Sequence, residues 1–95
     1  MNGWAVEFLP TALSDLKQLS KVVSSQVIAK FHEHAKNFDN VRIVPLHREW
    51  EGYFKLRVGD WRVAYVINRT RRLLIVAAVD HRRKIYKRKP PRAFK

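Results

Sequence analysis

The stretch Gly52-Tyr-Phe-Lys-Leu-Arg-Val-Gly-Asp-Trp-Arg-Val-Ala-Tyr65 consists of two alternating segments on either side of Gly59-Asp60. Side chains two apart on a strand share a face. Phe54, Leu56 and Val58 therefore point one way and Tyr53, Lys55 and Arg57 the other, with Arg62 just across the turn. Glycine in the first place of a two-residue connection is the type II′ hairpin pattern. Cations side by side on one strand face repel each other unless an anion lies among them. This face reads as a site for a phosphate.

Working outward, Trp61–Asn68 and Arg72–Asp80 are further strand candidates, rich in β-branched and aromatic residues. Residues 73–79 are almost continuously apolar, which predicts an interior strand covered on both faces. Toward the N-terminus, Trp4–Phe8 alternates as a short first strand. Pro10 at the first turn or Thr11 as N-cap starts a helix whose stripe is Leu13, Leu16 and Leu19. Ser20 or a neighbour breaks it, and Val23, Val27, Ile28, Phe31 and Ala35 form the stripe of a second helix. The predicted class is α+β, order β-α-α-β-β-β, with the helical hairpin packed on one face of a mainly antiparallel sheet. The other face, partly open, carries Tyr53, Lys55 and Arg57. Residues 1–89 read as a single domain and 90–95, after Pro90-Pro91, as a basic C-terminal tail.

The charge is segregated. Residues 1–41 hold four lysines against four acids, so the net +12 lies in residues 42–95, with eight cations and no acid after Asp80. Such asymmetry favours a polyanionic partner, either nucleic acid or an acidic protein. No cysteine is present, which excludes disulfides and thiolate metal sites. His32 and His34, two apart on a helix, point away from each other and cannot share a metal. No apolar run has membrane-spanning length and no leader-like N-terminus is seen, so the expectation is a cytoplasmic protein with no membrane contact, metal or cofactor.

These residues resemble the RelE/ParE superfamily of bacterial and archaeal toxins. Gly52–Tyr65 is similar to its central hairpin, and Val79-Asp-His-Arg-Arg-Lys-Ile-Tyr86 to its last strand and Arg-then-Tyr ending. Phe8, Ala12, Asp15, Leu16 and Leu19 fit the first helix, and Pro45-Leu46 the leucine before the hairpin. The resemblance implies the toxin of a type II toxin–antitoxin system. RelE-like members are ribosome-dependent endoribonucleases that cut mRNA in the A site. ParE-like members inhibit DNA gyrase and have generally lost the catalytic cations. A non-catalytic RNA-binding module is a further alternative.

Metal-free RNA cleavage needs a base for the 2′-hydroxyl, positive charge for the phosphorane and an acid for the departing oxygen. The resemblance assigns Lys55 to the 2′-hydroxyl, Arg62 to the scissile phosphate and Arg82 to the phosphorane. Tyr86 takes the terminal tyrosine's place, stacking on a base or assisting proton transfer. Arg57 is common across the superfamily. Tyr53 stands where some RelE enzymes carry a second lysine and is expected as a stacking surface. His81, Arg83, Lys84, Lys87 and Arg88 complete the expected RNA-contacting set, with His81 near the phosphate. The implied partners are the ribosome, mRNA and a cognate antitoxin with an acidic, partly disordered segment. Against these roles stand ordinary ones. Arg57 and Arg62 would also suit pairs with Glu49, Glu51 or Asp60, and Trp50 and Trp61 would suit core or rim positions.

Overall fold

A computed structural model describes residues 3–92. The elements run β1 (Ala5–Phe8), α1 (Pro10–Lys17), α2 (Lys21–Lys36), β2 (Val44–Pro45), β3 (Phe54–Val58), β4 (Trp61–Asn68) and β5 (Leu73–His81). The sheet order is β1-β5-β4-β3-β2, with β1 parallel to β5 and the other pairs antiparallel. The α+β class with a helical hairpin on one face is as expected. The fifth strand was not foreseen. Val44–Pro45 pairs with Lys55 and Phe54 at the sheet edge, the one place where a proline's missing N–H costs nothing. Two residues show no periodicity from which a strand is legible. No helix among the described residues is long and apolar enough to cross a membrane.

Local chemistry explains the breaks. Pro10 opens α1 with no side-chain cap behind it, and Ser20 caps α2 by accepting from the Val23 N–H at 3.2 Å. Leu13 is 47% exposed, so the buried stripe of α1 is Ala12 and Leu16, with Leu19 following. That i, i+4, i+7 spacing follows the helix period more closely than steps of three. Gly59 has φ 60° while Asp60 stays out of the left-handed region, which is the type II′ hairpin.

β5 is an interior strand between β1 and β4, and the side facing β1 is finished by a helix. β1 pairs with it only from Leu73 to Val76. Beyond that the Leu9 N–H donates to the Val76 carbonyl, Thr11 Oγ1 donates to the Ala77 carbonyl, and the Val79 N–H donates to Asp15 Oδ2. Thr11 thus serves the sheet rather than capping the helix. These bonds meet the demand that buried backbone groups be paired.

Both faces of the sheet carry a core. On the helix side Val27 and Phe31 pack against Val63, Tyr65 and Leu74. There the buried His34 Nε2 and the Tyr65 hydroxyl share a hydrogen bond of 2.9 Å. Burial lowers the His34 pKa and raises that of Tyr65, so both stay neutral. The opposite face is less open than expected. Leu46, Trp50, Tyr53 and Ile85 gather over Ala64, Ala77 and Ala78, whose small side chains leave room for them. The chain after β5 straps this cover down. Tyr53 donates its hydroxyl to the Pro91 carbonyl, and Arg88 Nη1 lies 3.1 Å from both Asp15 Oδ2 and Asp80 Oδ2. Of the expected tail, residues 93–95 lie outside the described residues.

Candidate functional site

The cations collect toward the Gly59-Asp60 end of the sheet. Register places Arg57 opposite Arg62, and Arg62 opposite Asp80, one step above the row Lys55, Ala64, Ala78. Arg62 Nη1 donates to the Gly59 and Trp61 carbonyls at 2.9 and 3.0 Å. Both hydrogens of that nitrogen are thereby used, and the Nε–Nη2 edge of the planar guanidinium is left to meet an anion. Arg57 is exposed and makes no ion pair among the described residues.

Arg82 follows β5 directly and reaches the same turn. Its N–H donates to the Asp60 carbonyl at 2.8 Å, and its Nε lies 3.6 Å from Asp60 Oδ1. The pairing considered for Arg57 and Arg62 therefore falls to Arg82. An exposed pair of this kind contributes about 0–1 kcal/mol, so a phosphate can displace it.

Tyr86 stands on the neighbouring wall. The 3₁₀ turn Ile85–Lys87 buries Ile85 completely and turns Tyr86 outward, leaving it 41% exposed. Lys55 Nζ sits 6.0 Å from its ring centroid, at the edge of cation–π range. Burial raises the Tyr86 pKa, while the charge of Arg62 pulls the other way. The net shift is upward, so the phenol holds its proton at neutral pH.

Three residues expected to contact RNA lie elsewhere. Tyr53 is on the expected face but only 5% exposed, tied to Pro91, and offers no ring for a base. His81 pairs with Trp61 across the ladder and meets its ring edge-on at 5.4 Å, on the helix side of the sheet. Strand alternation from the core residue Val79 puts it there, away from Lys55 and Arg62. Arg88 is held by Asp15 and Asp80 and acts as a structural cation. Arg83, Lys84 and Lys87 are exposed around the chain after β5. Trp50 is a core residue.

The sequence reading missed the connection between β2 and β3. A cleft of about 530 Å³ opens between this loop and Tyr86, and His47 and Glu49 line it together with Lys55. Polar residues in an irregular loop carry no periodic signal, and only the fold brings them beside the cations. In all, Lys55 and Arg62 lie near a protonated phenol and its adjoining cleft, with Arg57 and Arg82 at the same end of the sheet. That combination can bind a phosphodiester and the base next to it.

The sequence profile of the ParE toxin of type II toxin–antitoxin systems (parDE) matches residues 6–86. The toxin RelG of Mycobacterium tuberculosis is 33% identical over 86 residues, covering 90% of this chain and 98% of the relative. Among solved structures, the M. tuberculosis toxin–antitoxin complex RelBE2 aligns with TM-score 0.75 and 30% identity, over 84% of this chain and 99% of that one. A mutant of the Escherichia coli toxin RelE in the free state aligns with TM-score 0.72 over 90% of each chain, and at 16% identity it shows likeness of fold.

Proposed function

The chain belongs to the ParE toxin family of type II toxin–antitoxin systems, within the RelE/ParE superfamily, and on that premise we propose that it is a RelE-like endoribonuclease that cleaves mRNA on the ribosome. The observation that carries this reading is the convergence of Lys55, Arg57, Arg62 and Arg82 with a protonated Tyr86 at one end of the sheet.

In the proposed reaction the ribose 2′-oxygen attacks the adjacent phosphorus and the bond to the 5′-oxygen breaks. The products are a 2′,3′-cyclic phosphate and a 5′-hydroxyl. One proton leaves the 2′-hydroxyl and one joins the departing oxygen, so the balance needs no further reactant. Arg62 and Arg82 offset the charge that builds on the phosphorane. Lys55 lies beside the 2′-hydroxyl. Tyr86, which keeps its proton, suits donation to the departing oxygen better than abstraction. Arg83, Lys84 and Lys87 would add phosphate contacts to ribosomal RNA or mRNA without reading sequence. A cognate antitoxin would neutralise the toxin by laying an acidic segment over the same cations; the RelBE2 relative was solved as a toxin–antitoxin complex. A ribosomal substrate also implies a cytoplasmic site of action.

The match to the ParE toxin family supports a second reading, the ParE-like one of DNA gyrase inhibition without chemistry. One experiment separates them. The protein is added to a translating extract and mRNA ends are mapped, with Lys55→Ala, Arg62→Ala and Arg82→Ala alongside and a gyrase supercoiling assay in parallel. Codon-phased cuts, reduced about 10²-fold or more in each variant, are expected. Intact mRNA with blocked supercoiling would establish the gyrase reading. RNA binding with neither effect would leave a non-catalytic module.

A further inference from the structure

The cleft beside Tyr86 holds a side chain that does not attract a phosphate. Glu49 lines it with Lys55 and Tyr86. Five of the eight acids in the chain engage a cation, namely Asp15, Glu33, Asp39, Asp60 and Asp80. Glu49 makes no ion pair among the described residues, although Lys55 lines the same cleft. Arg48 and Lys55 line the cleft as cations, and among the described residues Glu49 is the one carboxylate in its lining, a place for a hydrogen-bond donor.

The loop also holds Glu49 in a set position. Arg48, just before it, has φ 60°, a left-handed conformation that costs a residue other than glycine about 1–2 kcal/mol. Trp50, just after it, is 3% exposed and anchors the loop in the core. The backbone at Glu49 is held between a sharp bend and a buried indole, and its side chain is exposed at the cleft. A backbone held this way needs little ordering when a ligand arrives.

RNA offers a donor edge of the matching kind. Unstacked bases in single strands are recognised by stacking on aromatic rings and by hydrogen bonds to their Watson–Crick edges. Guanine presents two adjacent donors there, N1–H and the N2 amine, in the geometry that two carboxylate oxygens accept together. Adenine, cytosine and uracil each set an acceptor beside their donor, which faces the second oxygen unfavourably. The volume of about 530 Å³ lies within the range of about 300–1,000 Å³ typical of small-molecule clefts. The exposed ring of Tyr86 supplies a stacking wall.

We propose that the cleft between the β2–β3 loop and Tyr86 is a nucleobase pocket that selects guanine, with Glu49 accepting from N1–H and the N2 amine of a base stacked on Tyr86. The inference rests on the RNA reading of the adjoining site and adds a base preference to it. Glu49 is a specificity residue, since it contacts the base and not the reacting atoms.

The test compares guanosine with inosine, which lacks the N2 amine and otherwise presents the same edge. Short fluorescent single-stranded RNAs carrying one or the other are titrated by anisotropy against the wild-type protein and Glu49→Gln. The same replacement is made in the A-site codon of an mRNA on programmed ribosomes. The ratio is read rather than the absolute level, because removing an acid from a basic surface strengthens binding to any RNA. The wild type is expected to favour guanosine by about tenfold, and Glu49→Gln to bring the ratio close to one. Equal handling of both RNAs in both assays, or a preference that survives Glu49→Gln, overturns the pocket. Guanosine-selective binding without cleavage would keep the pocket and sink the nuclease reading. Cleavage blind to inosine would do the reverse.

Discussion

On the helix side of the sheet, Val27 and Phe31 come from a sixteen-residue helix and meet Val63, Tyr65 and Leu74 from the strands. On the other side the cover is Trp50, Tyr53 and Ile85, from segments with little regular structure, held by Arg88 and by a hydrogen bond to Pro91. Helices cover a face from end to end because their residues repeat along it. A strap held by a few point contacts covers only where those contacts fall. The difference accounts for the position of the site: the strap's point contacts leave Arg57 and Arg82 exposed, and Lys55 and Arg62 partly exposed, toward the hairpin end of the sheet. Two arginines mark the boundary. Arg88 bridges two carboxylates and holds the cover down, whereas Arg82 has one exposed partner at 3.6 Å and remains available to an anion.

Truncation should separate the two faces. Phe31→Ala, in the helix-side core, is expected to cost about 3–5 kcal/mol in urea unfolding, enough to unfold much of a small domain. Ile85→Ala is expected to cost less, about 2–4 kcal/mol, with faster hydrogen exchange confined to residues 82–89. An Ile85 variant that opened the helix face equally would merge the two cores into one.

The strap comes next. Arg88→Ala leaves Asp15 and Asp80 without their shared cation, though each still accepts a backbone N–H, from Val79 and His81 respectively. A loss of about 1–2 kcal/mol is expected for a pair at this partial burial.

Acid should weaken the helix face specifically. Burial depresses the His34 pKa below its ordinary value near 6.5. Below that value the unfolded chain binds a proton that the folded chain refuses. Stability is therefore full above about pH 6.5 and falls, by up to about 1.4 kcal/mol per pH unit, until the folded pKa is reached. Urea midpoints between about pH 7.5 and 5 would show the slope, and His34→Gln should flatten it. The smallest effect is expected from Tyr53→Phe, which loses one hydrogen bond to the strap, about 0.5–1.5 kcal/mol in the same assay.

Much of this molecule is legible along the chain. The hairpin period put Lys55 and Arg57 on one face, the apolar run at 73–79 marked an interior strand, and Ser20 or a neighbour marked the break between the helices. What escaped reading was decided by contacts distant in sequence. Tyr53 shares a face with Lys55, yet it is buried by a residue 38 positions away. Arg88 looks like its basic neighbours until Asp15, 73 positions back, is set beside it. His81 lies on the far face because alternation from Val79 outranks its adjacency to Arg82. Val44–Pro45 is too short to carry a pattern, and Glu49 reaches the site through a loop bend at Arg48 that no propensity anticipates.

The most direct test sets the two boundary arginines against each other. Single-turnover cleavage of ribosome-bound mRNA is measured for Arg82→Ala and Arg88→Ala at a temperature where circular dichroism shows both folded. Arg82→Ala is expected to cut about 10²-fold or more slowly with an unchanged unfolding midpoint, and Arg88→Ala to lose stability while keeping most of its rate. An Arg82→Ala protein that cleaves at the wild-type rate would contradict the assignment of the uncovered end of the sheet to RNA chemistry.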